Sequence, residues 1–198
     1  MLKNKKILII VIAVVIVCAI TATVLSVTLA KWQTKADQTI KVDMDVVDYN
    51  PSAQYIIYRG LTSDGAFTDD TAAISSWAVV GYKGLVAELV IPAEHEGKPV
   101  THILASDTVV EDRLSGNPII TEMTIPHTVI YIGSGVCSMM TELKTVSIKA
   151  PPTAESPASI AIANLAFAGC GKLSTFSSER SIEGEESSYL MGTAIKNQ

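Results

Sequence analysis

The chain has 198 residues, enough for one ordinary domain and a short appendage, and 48% of them are apolar. Its formal net charge is −5; the three lysines that precede the first apolar run contribute +3, so the remainder carries −8. Because a chain of this charge repels nucleic acid and anionic lipid surfaces, the composition excludes a nucleic-acid-binding function.

An uncharged apolar run occupies residues 7–30. At about 1.5 Å per residue, a helix of this length measures roughly 36 Å and spans a bilayer with some tilt. Lys3, Lys5 and Lys6 precede the run, and positive charge tends to stay in the cytoplasm. The sequence therefore predicts membrane association through residues 7–30, a cytoplasmic N-terminus and an extracellular remainder.

Two fates of residues 1–30 share this orientation. The apolar run is longer than the roughly 7–15 residues of an ordinary signal core, which favours a retained signal anchor. Thr28-Leu29-Ala30 loosely fits the small-residue rule for signal-peptide cleavage. The alternative prediction is therefore secretion after cleavage near Ala30.

Residues 31–78 are predicted to form an extended linker and capping strands. Apolar and polar residues alternate from Ile40 to Val46, and residues 54–59 and 73–82 have the composition of further strands. A small sheet here would cover the end of a repeat array, which would otherwise expose its hydrophobic column.

One six-residue pattern then recurs, with apolar residues at its first, fourth and sixth positions. Its last two apolar positions alternate as in a strand, and one such strand cannot bury its face alone. The spacing between equivalent isoleucines is 34 and then 23 residues, as in solenoid repeats. The copies are Val86-x-x-Leu89-x-Ile91, Ile120-x-x-Met123-x-Ile125 and Leu143-x-x-Val146-x-Ile148.

A second apolar pair recurs as Val100-x-x-Ile103 and Val129-x-x-Ile132. The extra residues of the longer units are predicted to be surface insertions, where binding specificity can reside. These insertions cover 95–98, 109–117 and 151–157, and Glu94 and His95 are their candidate ligand contacts.

Several of these segments resemble the BspA-like class of bacterial leucine-rich-repeat surface proteins, over residues 79–177. The resemblance implies a β-rich leucine-rich-repeat solenoid of the α/β horseshoe class, with short strands and an irregular convex side, and a binding role. The sequence departs from the class at 136–137 and 139–140, where Val-Cys and Met-Met replace Ala-Phe and Gly-Cys. The matching segments are Leu89-Val90-Ile91-Pro92, Met123-Thr124-Ile125-Pro126 and Ala166-Phe167-Ala168-Gly169-Cys170.

The cysteines are predicted to be unreactive. Cys18 lies in the apolar run, where it acts as a small hydrophobic residue. The repeat alignment places Cys137 in the column of Phe167 and Cys170 in the column of Met140. Two buried free thiols are therefore favoured over a disulfide, which remains the alternative in an oxidising compartment.

No catalytic, cofactor-binding or metal-binding residue is predicted. The three histidines, His95, His102 and His127, fall in different repeat phases and are expected on the surface. Asp64, Asp69 and Asp70 do not fit a known calcium loop. Three aromatic residues are expected to pack in the core or the cap rather than to form a ligand platform: Trp77, Tyr82 and Tyr131.

Residues 178–198 are predicted to form a flexible polar tail. Together, these features favour a non-enzymatic cell-surface binding or adhesion module whose partner is a protein or cell-surface ligand. The alternative is a secreted, self-assembling matrix or envelope protein. About three repeats are near the minimum for a stable stack, and an uncovered end would then pair with a second copy.

Overall fold

Short strands stacked in layers form the framework of the structure. The computed structural model describes residues 50–106, 108–109, 111–152 and 159–195. They include a 3-10 turn at Ala53–Tyr55 and a short helix, α1, at Glu186–Tyr189. In chain order, the strands are Ile56–Leu61 (β1), Phe67–Thr68 (β2), Ser76–Tyr82 (β3), Glu88–Val90 (β4), Glu94–His95 (β5), Lys98–Ile103 (β6), Glu122–Ile125 (β7), Tyr131–Ile132 (β8), Thr145–Ile148 (β9), Ser159–Ile162 (β10), Thr175–Ser178 (β11) and Ser181–Glu183 (β12).

Two predictions for the N-terminal region fall outside these residues. They are the signal anchor or signal peptide at 1–30, with its apolar run at 7–30, and the alternating segment at 40–46. Among the residues that the structure describes, no helix has the length and apolarity needed to cross a membrane.

The repeated six-residue pattern forms one parallel sheet, in the order β4, β7, β9, β11. Leu89 is in register with Met123, Met123 with Val146, and Val146 with Phe176. The first three of these side chains are buried and Phe176 is half-buried. The predicted stacking of the repeated strands is confirmed. Strand β11 also forms, although Ser178 stands where the pattern has its last apolar residue.

A second sheet lies on the other side of the core. Its parallel part has the order β12, β10, β8, β6, and β3, β1 and β2 continue it toward the N-terminus, while β5 pairs with β6. Ile103, Ile132 and Ile162 are in register across three neighbouring strands and are buried. Each layer of the stack therefore contributes one strand to each sheet.

This second sheet corrects the expectation of an irregular convex side. Ile160 and Ile162 alternate with half-exposed residues along β10, and so place one face of the strand in the core. Backbone groups beside a dry core require hydrogen-bond partners, and an equivalent strand in the next layer supplies them. Hydrogen bonds from Gly133 N–H to Ile103 O (2.9 Å) and from Ala163 N–H to Ile132 O (2.9 Å) continue the ladder beyond the short strand β8.

One hydrophobic core fills the space between the sheets. It runs from Ile56 and Val79 near the N-terminal end to Tyr189 and Leu190 in the last layer. Aliphatic residues dominate it, and Phe167 is its largest fully buried side chain after Tyr82. This continuous core makes the stack one folding unit over the described residues.

The strands predicted to cap the stack are present. β1 pairs antiparallel with β3, and β3 pairs in parallel with β6 of the first layer. The side chain of Tyr82 is buried, as predicted, and its hydroxyl donates a hydrogen bond to Val86 O (3.0 Å). The antiparallel pair therefore closes the N-terminal end of the second sheet.

The insertion predicted at 109–117 packs against the protein rather than projecting from it. Leu114 is fully buried, and the N–H of Tyr82 donates to the carbonyl of Asp112 (2.7 Å). A Cβ atom added at Gly81 would lie 2.4 Å from this same carbonyl oxygen. The insertion thus covers β3 at close range, while most of the insertion at 151–157 lies outside the described residues.

The two described cysteines are free and buried, as predicted. The Sγ of Cys170 donates a hydrogen bond to Cys137 O in the preceding layer (3.1 Å). Burial raises the pKa of both thiols. The thiols therefore act as small core side chains.

The prediction of a flexible tail at 178–198 is wrong for the residues up to 195. β12 pairs with β10, the side chains of Tyr189 and Leu190 are buried, and Ile195 packs against the core. Arg180 is only 7% exposed, and its guanidinium donates to the carbonyls of His127, Val129 and Ser159. The segment forms the last layer because these contacts attach it to the preceding turns.

Candidate binding surface

The outward face of the four-stranded sheet presents a regular array of side chains. Because side chains alternate along a strand, the inward position of each strand is flanked by two outward positions. One column of outward residues is Glu88, Glu122, Thr145 and Thr175, and the other is Val90, Thr124, Ser147 and Ser177. We call these eight residues the ladder face.

The ladder face is polar and regular. Neighbouring strands lie about 4.8 Å apart, so each column repeats its functional groups at that spacing. Glu88, Glu122, Thr175 and Ser177 are exposed, and the other four residues are half-buried. Seven of the eight side chains carry a hydroxyl or a carboxylate, so this surface is suited to hydrogen bonding with a ligand that lies across the strands.

Charge is distributed unevenly over this face. Its two acidic residues, Glu88 and Glu122, occupy the strands nearest the N-terminal end, and hydroxyl side chains occupy the strands nearest the C-terminal end. Beside the hydroxyl end, Lys149 and Glu179 form an ion pair between layers (3.5 Å). The N–H of Ala150 lowers the pKa of the Glu179 carboxyl through a hydrogen bond, with a smaller contribution from Lys149.

Sequence reasoning did not identify this face as a site. It used the inward positions to find the strands, whereas the outward positions vary among Glu, Val, Thr and Ser and follow no motif. The outward positions can be located from the alternation of side chains along each strand, because a residue next to an inward position points outward.

The candidate contacts on the first insertion lie in a different environment. β5 and β6 form a hairpin whose turn residues, Glu96 and Gly97, both have positive φ values of 50° and 72°. Such a two-residue turn matches the twist of paired strands. Glu94 is exposed at the hairpin and stays a candidate contact, whereas His95 is directed into the protein.

His95 belongs to an aromatic cluster that the sequence did not predict. Its ring stacks on Tyr58, with centroids 3.8 Å apart and planes 10° apart, and meets Trp77 edge-on at 4.9 Å. Its side chain is 32% exposed, and burial lowers its pKa, against the opposing effect of Glu96. The surface position expected for His95 is therefore only partly correct, because the ring is half-buried and secures the hairpin to β1 and β3.

The remaining candidate residues are separated from one another. His102 is half-buried beside Tyr131, with ring centroids 5.9 Å apart. Asp69 pairs with Arg59 at 3.3 Å, while Asp64 accepts a hydrogen bond from Thr62. Within the described ranges, no three His, Cys, Asp or Glu side chains are grouped as metal ligands.

Comparison with solved structures gives two similar bacterial proteins. A leucine-rich cell surface protein from Faecalibacterium prausnitzii is 24% identical over 65% of this chain and 31% of its own, with a TM-score of 0.42. A leucine-rich-repeat protein from T. pallidum is 20% identical over 62% of this chain and 57% of its own, with a TM-score of 0.40. Both are leucine-rich proteins, and this chain spans less than two thirds of the length of either one.

No protein-family model matches the chain, and no curated protein is similar to it.

Proposed function

We propose that this chain is a non-enzymatic binding module displayed outside the cell, with its ligand held on the ladder face. The observation that carries the proposal is the array of outward side chains on four parallel strands in register. A continuous polar surface of this kind offers many hydrogen-bonding groups across neighbouring strands, which suits a large partner rather than a small molecule.

The chemistry of the ladder face favours an extended polar partner, such as a protein segment or another cell-surface ligand. Hydroxyl groups donate and accept hydrogen bonds, so Thr124, Thr145 and Ser147 suit backbone amides as well as polar side chains. Glu88 and Glu122 favour a basic group of the ligand at the β4–β7 end of the ladder face.

Placement outside the cell is supported by the sequence of residues 1–30. The lysines before the apolar run favour a cytoplasmic N-terminus, whether the run is retained as an anchor or cleaved. A role in adhesion follows if the partner belongs to another cell or to a matrix. The resemblance to bacterial leucine-rich-repeat surface proteins agrees with this placement.

The environments of His95 and His102 agree with a binding role. His95 packs on Tyr58 and Trp77, and His102 lies beside Tyr131. Burial lowers the pKa of both imidazoles. The environment of each ring is thus mainly aromatic packing.

The proposal is tested by placing charge and bulk on the ladder face. Thr124→Arg with Ser147→Arg alters two adjacent half-buried positions of the four-stranded sheet. The matched control is Tyr131→Arg with Ala161→Arg, two adjacent half-buried positions on β8 and β10 of the second sheet. Binding is measured by surface plasmon resonance on immobilised fibronectin, laminin, collagen, fibrinogen and mucin, with circular dichroism as the test of folding.

The expected result is binding to at least one of these five probes that weakens tenfold or more in the ladder-face variant and changes less than twofold in the control. Equal binding by both folded variants contradicts the proposal. The proposal is also contradicted if the unaltered chain binds none of the five probes. Glu94→Arg, measured in parallel, reports separately on the hairpin insertion; the proposal predicts little effect.

A further inference from the structure

Strand β11 is the C-terminal edge of the four-stranded sheet. It pairs with β9 on one side, and no strand among the described residues pairs with its other side. The N–H groups of Thr175 and Glu179 donate to Lys144 O (3.1 Å) and Ile148 O (3.0 Å) of the neighbouring layer. Since hydrogen bonding alternates along a strand, the N–H and C=O of Phe176 point away from β9.

These outward groups of Phe176 form no hydrogen bond with another residue in the described part of the chain. Unpaired N–H and C=O groups on an edge strand are a template for pairing with another chain. Natural edge strands are usually protected by charge, proline or a bulge. The sequence of β11, Thr-Phe-Ser-Ser, has neither charge nor proline.

The opposite edge of the same sheet is closed by side chains. The N–H of Val90 in β4 donates to Ser52 Oγ (2.9 Å), and its carbonyl accepts from Asn50 Nδ2 (2.6 Å) and from Ser52 Oγ (3.3 Å). Ser52 is fully buried. A second copy therefore finds an open edge at β11 and a blocked edge at β4.

From this asymmetry we propose that β11 pairs antiparallel with β11 of a second copy of this chain, about a two-fold axis at Phe176. In a hydrogen-bonded antiparallel pair, two opposed residues exchange both of their N–H···O=C bonds. A residue on the axis opposes itself, so the outward N–H and C=O of Phe176 are satisfied symmetrically.

The surroundings of β11 suit this arrangement. Phe176 is half-buried against Phe167 (5.5 Å between centroids) and Tyr189 (5.7 Å), and pairing brings the two Phe176 rings side by side. In this register Glu179 opposes Leu173 of the other copy, next to Lys172. Each of these two charges keeps its partner within its own copy, Glu179 with Lys149 and Lys172 with Glu142. Arg180 opposes Lys172 in this register, but its guanidinium is turned away to carbonyls of its own core.

The blocked edge at Val90 prevents head-to-tail growth through this sheet. Head-to-tail addition requires β11 of one copy to pair with β4 of the next, and would displace Ser52 and Asn50. The symmetric contact closes on itself, so it forms a dimer rather than a filament. This association does not depend on the ligand-binding proposal, although it joins two ladder faces into one surface.

Cysteine cross-linking tests the pairing and its register. With Phe176 on the axis, Thr175 opposes Ser177 of the second copy as a non-hydrogen-bonded pair, with Cα atoms about 4.5 Å apart. A disulfide spans about 4.4–6.8 Å between Cα atoms. The two copies of Thr175 are diagonal neighbours about 7–8 Å apart, which is too far.

The experiment uses full-length T175C and S177C proteins in a C18A background, solubilised in detergent and oxidised with copper phenanthroline. A mixture of the two is expected to give a disulfide-linked heterodimer, identified by intact mass, in at least fivefold excess over either variant alone. T145C mixed with S147C, at the equivalent positions of β9, is the matched control. This control is expected to give no such excess.

No excess of T175C–S177C heterodimer, or an equal excess in the β9 control, overturns the proposal. Sedimentation velocity of the C18A chain supplies a second measurement, with a concentration-dependent shift that stops at a dimer as the expected result. A monomer at all concentrations, or growth past a dimer, contradicts the proposal. Cross-linking as expected, together with ligand binding that the ladder-face substitutions leave unchanged, would contradict only the proposed function.

Discussion

Single buried polar groups hold the ends of the stack in place. Ser52 is fully buried at the N-terminal edge, and Arg180 is nearly so in the last layer. Both bond backbone groups of distant residues: Ser52 bonds Val90, and Arg180 bonds His127, Val129 and Ser159. A buried group left without its partner is costly, so these contacts fix the register of the layers they join.

Ser52→Ala tests this role at the N-terminal edge. The substitution leaves the N–H of Val90 without its acceptor and is expected to lower the free energy of unfolding by about 1–3 kcal/mol. The measurement is urea denaturation followed by circular dichroism.

Ser75→Ala is the control for that substitution. Ser75 is exposed, and its hydroxyl shares the acceptor Leu61 O with its own backbone N–H, so little should be lost. Equal losses of stability in the two variants would contradict the role assigned to Ser52.

His95 makes stability depend on pH. Burial against Tyr58 and Trp77 lowers its pKa in the folded state, and burial also lowers the pKa of His102. A histidine whose pKa is lower in the folded state than in the unfolded state, where it is about 6.5, stabilises the fold at pH values above about 6.5. This contribution to stability is lost as the pH falls through the folded-state pKa.

His95→Phe keeps an aromatic ring on Tyr58 and removes this titration. Between pH 7 and pH 4.5, the variant should therefore lose less stability than the unaltered chain in urea denaturation. His102→Phe, measured alone and in combination, separates the second contribution. If His95→Phe leaves the pH dependence unchanged, the assignment to His95 is wrong.

At the scale of strands and insertions, the sequence predicted the strands whose inward residues follow the repeated apolar pattern. The copies at 86–91, 120–125 and 143–148 located β4, β7 and β9, because each inward position is an aliphatic residue or Met. β12 escaped prediction because Ile182 is its one apolar residue, and α1 is too short for a helical periodicity. The aromatic cluster escaped because Tyr58, Trp77 and His95 are far apart in sequence.

A different local signal marked the β5–β6 hairpin. Gly97 follows Glu96 between two short polar segments, and both residues have positive φ. This pair is the turn that the hairpin requires, but its flanking strands carry no alternating apolar residues. The insertion was therefore recognised as an insertion and not as a hairpin.

The last layer provides the sharpest test among the elements. Tyr189 is buried beside Phe176, and its replacement by Ala should lower the free energy of unfolding by about 3–5 kcal/mol, as for other large aromatic core residues. Ser187→Ala, at an exposed position of the same helix, should change it by less than about 0.5 kcal/mol. Chemical denaturation of both variants tests whether this segment is packed, because a flexible tail would tolerate the two substitutions equally.

Close packing of the insertion at 109–117 can be measured in the same way. Gly81→Ala places a Cβ atom 2.4 Å from the carbonyl oxygen of Asp112, so the backbone must shift, at a cost of about 1–3 kcal/mol. Gly171→Ala meets no atom within 4 Å and is the control. Comparable stability of both variants in thermal unfolding would show that the insertion does not pack on β3.

At the scale of the whole molecule, one layered core supports two different outer surfaces. The second sheet carries the antiparallel cap, the hairpin and much of the packing around aromatic residues. The four-stranded sheet has polar side chains at seven of its eight outward positions, and four of the eight are exposed. The proposed binding function is placed on the ladder face for this reason. The sequence could not single out this face, because the apolar pattern that predicts the fold occupies the opposite face of the same strands.

The ratio of dissociation constants for two variants tests this assignment most directly. Thr124→Arg with Ser147→Arg alters the ladder face, and Tyr131→Arg with Ala161→Arg alters the second sheet in the same manner. We predict that, for a probe bound by the unaltered chain, the first dissociation constant exceeds the second by tenfold or more, with both proteins folded. A ratio near one would contradict the assignment of binding to the ladder face.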